Sequence, residues 1–252
     1  MVMNPRDLVK NMPATNMLYM DDPYLKSISC NVLKVEQDDR RTAYVLVDQS
    51  IFHPKSGGQP SDKGRILGEV FIFEVTKVML IEGLIVHFGK VVGGEPQTGS
   101  ARLEIDWDFR YRCMRKHTAA HLLDNCFSVI LKERMETTDS WVGDDSYVGY
   151  RGSSPAIEHL GALEEMANKL IAEGAEVTSQ TIERGELLHF LDASSLVRLP
   201  KNVRLKIVRI DGFQGIPCGG THVKNLQEIG QFRLKSPQVL NEGFRLNFDI
   251  VP

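Results

Sequence analysis

Cysteine is scarce. Four occur in 252 residues, at positions 30, 113, 126 and 218, too dispersed to form a disulfide framework. That usage fits a reducing compartment and argues against secretion. Long apolar runs are missing as well. Met1 to Met20 alternates polar and apolar residues around Pro5 and Pro13, so the expectation is a cytoplasmic protein with neither signal peptide nor membrane span. Positive charge is not in excess: the formal net charge is −3. This excludes a globally basic nucleic-acid binder and leaves a local phosphate-binding patch open. Internal repeats and low-complexity tracts are lacking too. What remains, 42% hydrophobic and 25% charged residues, is ordinary for a globular chain with one large core or two smaller ones.

The first half reads as strands. Ile28, Cys30, Val32 and Val35 alternate loosely, Asp38-Asp39-Arg40-Arg41 makes a turn, and Ala43, Val45 and Val47 alternate again, which is a hairpin signature. Further strands are expected over 64–67, 70–78, 85–89 and 100–105, and short strands at this spacing point to a small β-barrel. Proline then disappears between Pro96 and Pro155. Asp106 can cap a helix from Trp107 to about Lys132, whose apolar arc holds Ala119, Leu122, Leu123, Cys126 and Phe127. His117 and His121 fall on its other side, with Asp124, Asn125 and Ser128. Residues 137–151 read as a strand pair. Ser154 and Pro155 are suited to open a second helix that Gly174 ends. A strand begins at Val177, a short helix is expected over 183–191, and 203–210, 232–234 and 244–250 alternate as strands. The mixture lacks a βαβ rhythm, so the expected class is α+β. The expected division is a barrel domain over 1–105 and an α+β domain over 106–252.

Two separated stretches carry the chemistry. His117-Thr-Ala-Ala-His121 puts two imidazoles a turn apart on one helix face. Cys218-Gly219-Gly220-Thr221-His222 adds a thiolate and a third imidazole on a glycine-rich turn. Each stretch alone also reads as a chance spacing, on a solvated face or in a tight turn. Together, three His and one Cys are a ligand set that suits Zn²⁺. No glutamate lies between the paired histidines, so the base of a zinc peptidase is missing. A third stretch, Ser56-Gly57-Gly58-Gln59-Pro60-Ser61-Asp62-Lys63-Gly64, is either a hairpin loop or a loop whose backbone comes close to a ligand, with Gln59 offering it an amide. A fourth, Arg110, Arg112, Arg115 and Lys116, is either a solvated face or a set of phosphate contacts.

These segments, taken in order, resemble the AlaX proteins, free-standing relatives of the editing domain of alanyl-tRNA synthetase; the editing domain of threonyl-tRNA synthetase is a more distant likeness. The matching parts are His-Thr-Ala-Ala-His-Leu-Leu, Cys-Gly-Gly-Thr-His-Val and Ser-Gly-Gly-Gln-Pro-Ser-Asp-Lys-Gly. The resemblance covers roughly residues 24–250. It implies an N-terminal barrel followed by an α+β zinc-containing editing domain. It implies one Zn²⁺ held by His117, His121, Cys218 and His222. It also implies a hydrolase that deacylates mischarged tRNA(Ala), chiefly Ser-tRNA(Ala) and also Gly-tRNA(Ala), while sparing Ala-tRNA(Ala). Gly57, Gly58 and Gln59 would then meet the tRNA 3′ end. Thr138 matches a threonine associated with the amino-acid pocket, in a register that its neighbour Thr137 leaves open by one residue. Ala120 departs from relatives with threonine before the second histidine, so Thr118 or Thr221 would supply that hydroxyl. The length leaves no room for an aminoacylation domain. Four protein ligands usually mean a closed, structural metal site. Three readings follow: one ligand binds weakly, the ion expands its shell, or the ion only positions substrate. A non-catalytic, zinc-stabilised tRNA-binding module stays as the alternative function.

Overall fold

The computed structural model describes residues 5–38, 41–132, 135–182 and 205–251. They are mostly strand, with few helices. None of the described helices is long and apolar enough to cross a membrane. Two compact units separate. The first holds the described residues up to Ser56 and Pro60–Arg110; the second holds Gly57–Gln59 and the described residues from Tyr111 on.

In the first unit a short helix α1 (Pro5–Leu8) leads to strand β1 (Asn16–Met17), which pairs in parallel with β4 (Gln49–Ser50). Strands β2 (Ser27–Gln37), β3 (Thr42–Val47), β5 (Gly64–Gly68), β6 (Ile72–Ile81), β7 (Leu84–Gly93) and β8 (Gly99–Ile105) close a barrel in the order β2-β3-β7-β6-β5-β8. Its interior follows the two-residue period of the sequence: Val45 and Val47 on β3, and Ala101, Leu103 and Ile105 on β8, all face the core. On β6 the alternation Phe73, Val75 breaks at a bulge between Val75 and Lys77, which brings Val78 back inside. The expected strand of 70–78 therefore starts and ends later, because the bulge lets the chain continue on the same face.

The long helix α2 (Trp107–Ile130) starts where Asp106 was expected to cap it: the Asp106 carboxylate accepts the Phe109 amide at 3.1 Å. Its first turn counts with the first unit. There the Arg110 guanidinium is completely buried, paired with Asp62, and donates to the carbonyls of Pro23 at 2.9 Å and Ile51 at 2.6 Å.

In the second unit β9 (Thr137–Trp141) and β10 (Tyr147–Arg151) form the expected antiparallel pair. They continue a sheet through β16 (Gly243–Val251) to β14 (Gln231–Leu234), with β15 (Gln238–Leu240) also on β16. Phe127 of α2 packs on this sheet, its ring 4.8 Å from that of Tyr150. Helix α3 (Ile157–Glu173) buries Leu163, Ala167 and Ile171 and ends at Gly174, in the left-handed conformation at φ 77. Its N-cap is Ala156 rather than Ser154, so the Ser-Pro pair sits just outside the helix and contributes no side-chain cap. Strands β11 (Val177–Ile182), β12 (Leu205–Ile210) and β13 (Ile216–Pro217) make a second, antiparallel sheet. The helix expected over 183–191 lies outside the described residues.

Candidate metal centre

Two elements of the second unit supply the ligand side chains. Helix α2 carries His117 and His121. The segment after β13 carries Cys218 and His222, and the Cys218 amide donates to the Lys206 carbonyl of β12 at 3.0 Å, anchoring the turn on the sheet. One ligand atom from each of His117, His121, Cys218 and His222 falls within 4.8 Å of the others. The Cys218 sulfur lies 3.4 Å from His117 Nε2 and 3.4 Å from His222 Nε2. Donors around a tetrahedral zinc ion stand ~3.5 Å apart, given bonds of ~2.0–2.3 Å, so the cluster fits such an ion with little movement.

Local chemistry supports the fit. Both ring nitrogens of His121 are buried and have no hydrogen-bond partner among the described residues, an expensive arrangement unless something else takes a lone pair. Burial pushes the His121 imidazole down to about 4, so it is neutral and free to ligate at neutral pH. Burial likewise pushes the Cys218 thiol up to about 11, against an opposing pull from the Gly220 amide and from Lys206. A divalent cation reverses that balance by favouring the thiolate.

A second ring of contacts orients the ligands. Gln59 is completely buried. Its Oε1 accepts from His117 Nδ1 at 2.8 Å and from the Thr221 amide at 3.0 Å, while its Nε2 donates to Thr221 Oγ1 at 2.8 Å. With the proton held on Nδ1, His117 Nε2 is the acceptor nitrogen and faces Cys218. Thr118 gives its hydroxyl proton to the Met114 carbonyl at 2.9 Å and accepts from the Val223 amide at 3.2 Å, with His222 Nδ1 at 3.4 Å. Gly220 lets the turn come this close: a methyl group there would overlap the His117 imidazole and stand 2.9 Å from Gln59 Oε1.

The structure corrects several expectations. The histidine side of α2 is not a solvated face: His117 and Thr118 are as buried as Leu122 and Leu123. The Gln59 amide is engaged within the protein, its Oε1 with His117 and the Thr221 amide and one Nε2 proton with Thr221 Oγ1. Gly57 is exposed, whereas Gly58, at φ 76, lies against Ser140 of β9 and accepts the Val142 amide at 3.0 Å. Thr118 and Thr221 are buried behind the ligands, Thr118 against His222 and Thr221 against Gln59. Thr138 is exposed in this structure, and its hydroxyl donates to Asp139 at 3.3 Å.

Three of the four basic residues are engaged by other groups of the protein. Arg110 is sealed with Asp62. Arg115 donates to the Ile229 carbonyl at 3.1 and 2.6 Å. Lys116 is buried and donates to the carbonyls of Gly143 at 2.9 Å and Asp144 at 3.2 Å. Arg112 alone of the set is exposed. Lys206, almost fully buried opposite Cys218, escaped sequence reasoning because an alternating strand assigns a lysine to the outer face.

Comparison with known proteins identifies the family. The family model of tRNA synthetases class II (A) matches residues 7–109, and that of the threonyl and alanyl tRNA synthetase second additional domain matches residues 205–245. The alanyl-tRNA editing protein AlaX-M of Methanosarcina acetivorans is 36% identical over 238 residues, which is 89% of this chain and 94% of that protein. The chain belongs to the AlaX family of alanyl-tRNA editing proteins. AlaX-L of Pyrococcus horikoshii is 32% identical over 221 residues, 84% of this chain and 52% of that protein. An alanine–tRNA ligase of Hyperthermus butylicus is 32% identical over 263 residues, 98% of this chain and 27% of the ligase. The chain thus spans about half of that AlaX-L and about a quarter of the ligase, but nearly the whole of AlaX-M.

Proposed function

We propose that this AlaX-family chain is a cytoplasmic trans-editing deacylase. It hydrolyses the ester that joins a wrong amino acid to tRNA(Ala), chiefly serine and also glycine, and spares alanine. The observation that carries the reading is the cluster of His117, His121, Cys218 and His222, two of them buried and two half-buried, held in place by Gln59 and Thr118, in a chain so similar to AlaX-M. Zn²⁺ suits three imidazoles and a thiolate, and when bound it would supply a Lewis acid beside the ester carbonyl or lower the pKa of a water.

The chain's own residues do the rest. Gln59 keeps a proton on His117 Nδ1, and Thr118 sets the ring of His222. Burial keeps His121 neutral. Sparing alanine needs a polar partner that serine satisfies and alanine leaves unpaired; such sites discriminate by about 10⁴ or more. Thr138 is assigned that part, and because it is exposed the bound substrate itself would have to cover it. Arg112 is the basic residue free to meet a phosphate.

The test is deacylation of Ser-, Gly- and Ala-tRNA(Ala) by purified protein, with and without a chelator. Hydrolysis of the first two, lost on chelation and restored by Zn²⁺, is expected. Thr138→Val should lower serine release with metal content unchanged; undiminished serine release would remove Thr138 from its role. The second reading, a non-catalytic zinc-stabilised tRNA-binding module, is favoured by the four-protein-ligand set itself. It predicts tRNA binding with no deacylation.

A further inference from the structure

The four ligand side chains are not held equally. His117 is fixed from behind: its Nδ1 lies 2.8 Å from Gln59 Oε1, and Gln59 is itself tied at both ends of its amide to Thr221. His222 is backed by Thr118 at 3.4 Å, and Thr118 is anchored to Met114 and Val223. Cys218 accepts the Gly220 amide at 3.4 Å and is pinned to β12 through its own amide. His121 differs. Both of its nitrogens are buried without a partner among the described residues. Among the described residues its ring is placed by packing, stacked on His117 with centroids 5.1 Å apart and planes at 17°, and 5.0 Å from the ring of His222.

Hydrogen bonds behind a ligating imidazole fix its orientation and raise its basicity, and losing one typically costs about 10–100-fold in metal affinity. A His121 nitrogen that ligates still leaves the other N–H without an acceptor among the described residues. Ligation by His121 therefore gains least and distorts most easily.

We infer that His121 is the exchangeable member of the set: three side chains hold the ion, and the fourth yields its position to an incoming oxygen. This rests on the metal part of the proposed function and selects among the readings of a four-ligand site, since a reactive centre needs one position that opens.

The test reads metal binding and not hydrolysis, so its failure is separate from failure of the deacylase assignment. Full-length His117→Ala, His121→Ala, His121→Gln and His222→Ala proteins are titrated with Zn²⁺ against a chromophoric chelator, then loaded with Co²⁺ for electronic spectra. Both His121 variants should keep one equivalent of metal with affinity lowered by less than about tenfold, and the other two should lose about a hundredfold or more. Added imidazole should shift the Co²⁺ spectrum of His121→Ala. Equal losses across the three positions, or a spectrum indifferent to imidazole, would overturn the inference. A wild-type protein that binds neither metal would overturn it together with the metal reading.

Discussion

At the scale of single residues, the site depends on a missing side chain as much as on those present. Gly219 and Gly220 are adjacent, yet they differ. A methyl group on Gly219 would meet nothing within 4 Å, whereas one on Gly220 would collide with the His117 ring and crowd Gln59. Both neighbours are buried and mutually bonded, so neither can move aside without losing the bond that orients His117. Gly220→Ala is therefore expected to lower Zn²⁺ affinity by about tenfold or more, the usual effect of disturbing a partner behind a ligand. Gly219→Ala should leave it unchanged. Chelator competition on the two variants checks this, and equal affinities would show that the turn has slack. Either substitution looks conservative in the sequence, where only the motif Cys-Gly-Gly-Thr-His is visible.

At the scale of elements, the start of α2 is the clearest case. Asp62 and Arg110 are both buried, and the Arg110 Nε donates to the two carboxylate oxygens at 2.9 and 3.0 Å. Removing one partner of such a pair leaves an uncompensated buried charge, at a cost of about 3–5 kcal/mol. Asp62→Ala should lose that much in denaturant unfolding. Asp62→Leu combined with Arg110→Met should recover only part of it, because the apolar pair removes both charges but leaves the Pro23 and Ile51 carbonyls and the His53 amide without their side-chain partners. If the double variant proves as unstable as the single, the pair does more than balance its own charge.

The same helix shows what a sequence can reveal about elements. The Asp106 cap, the hairpin of β2 and β3 and the αL glycine ending α3 were all legible, because each rests on contacts within a few residues. The candidate ligand set was legible too, through two short spacings of histidine and cysteine. The burial of the histidine face was not. What covers it comes from Gln59 and from the 218–222 turn, 58 and about a hundred residues away in the chain. For the same reason Arg110 read as one of a basic cluster: its carboxylate lies 48 residues upstream, and no periodicity within α2 points to it.

At the scale of the whole molecule, acid tolerance is set by groups that the fold keeps uncharged, and His87 is the clearest of them. It lies wholly inside the first unit, with Nε2 at 2.9 Å from Ser50 Oγ and Nδ1 donating to the Val45 carbonyl at 3.1 Å. Desolvation pushes it from 6.5 down to about 4, against a smaller upward pull from the Val45 carbonyl. Between those two values the unfolded chain binds a proton that the folded chain refuses, so stability rises with pH across the window and is lost as pH falls through it. A displacement of this size corresponds to ~3 kcal/mol at 1.36 kcal/mol per unit. Glutamine in place of His87 can still donate and accept but does not titrate. Unfolding of the wild type and of His87→Gln by denaturant at about pH 7 and about pH 4 isolates this contribution, since any loss from poorer packing is present at both values. The wild type should lose ~3 kcal/mol more than the variant on acidification. Parallel losses would mean that water reaches His87 before the chain unfolds, and that the acid sensitivity of the molecule is set by other groups.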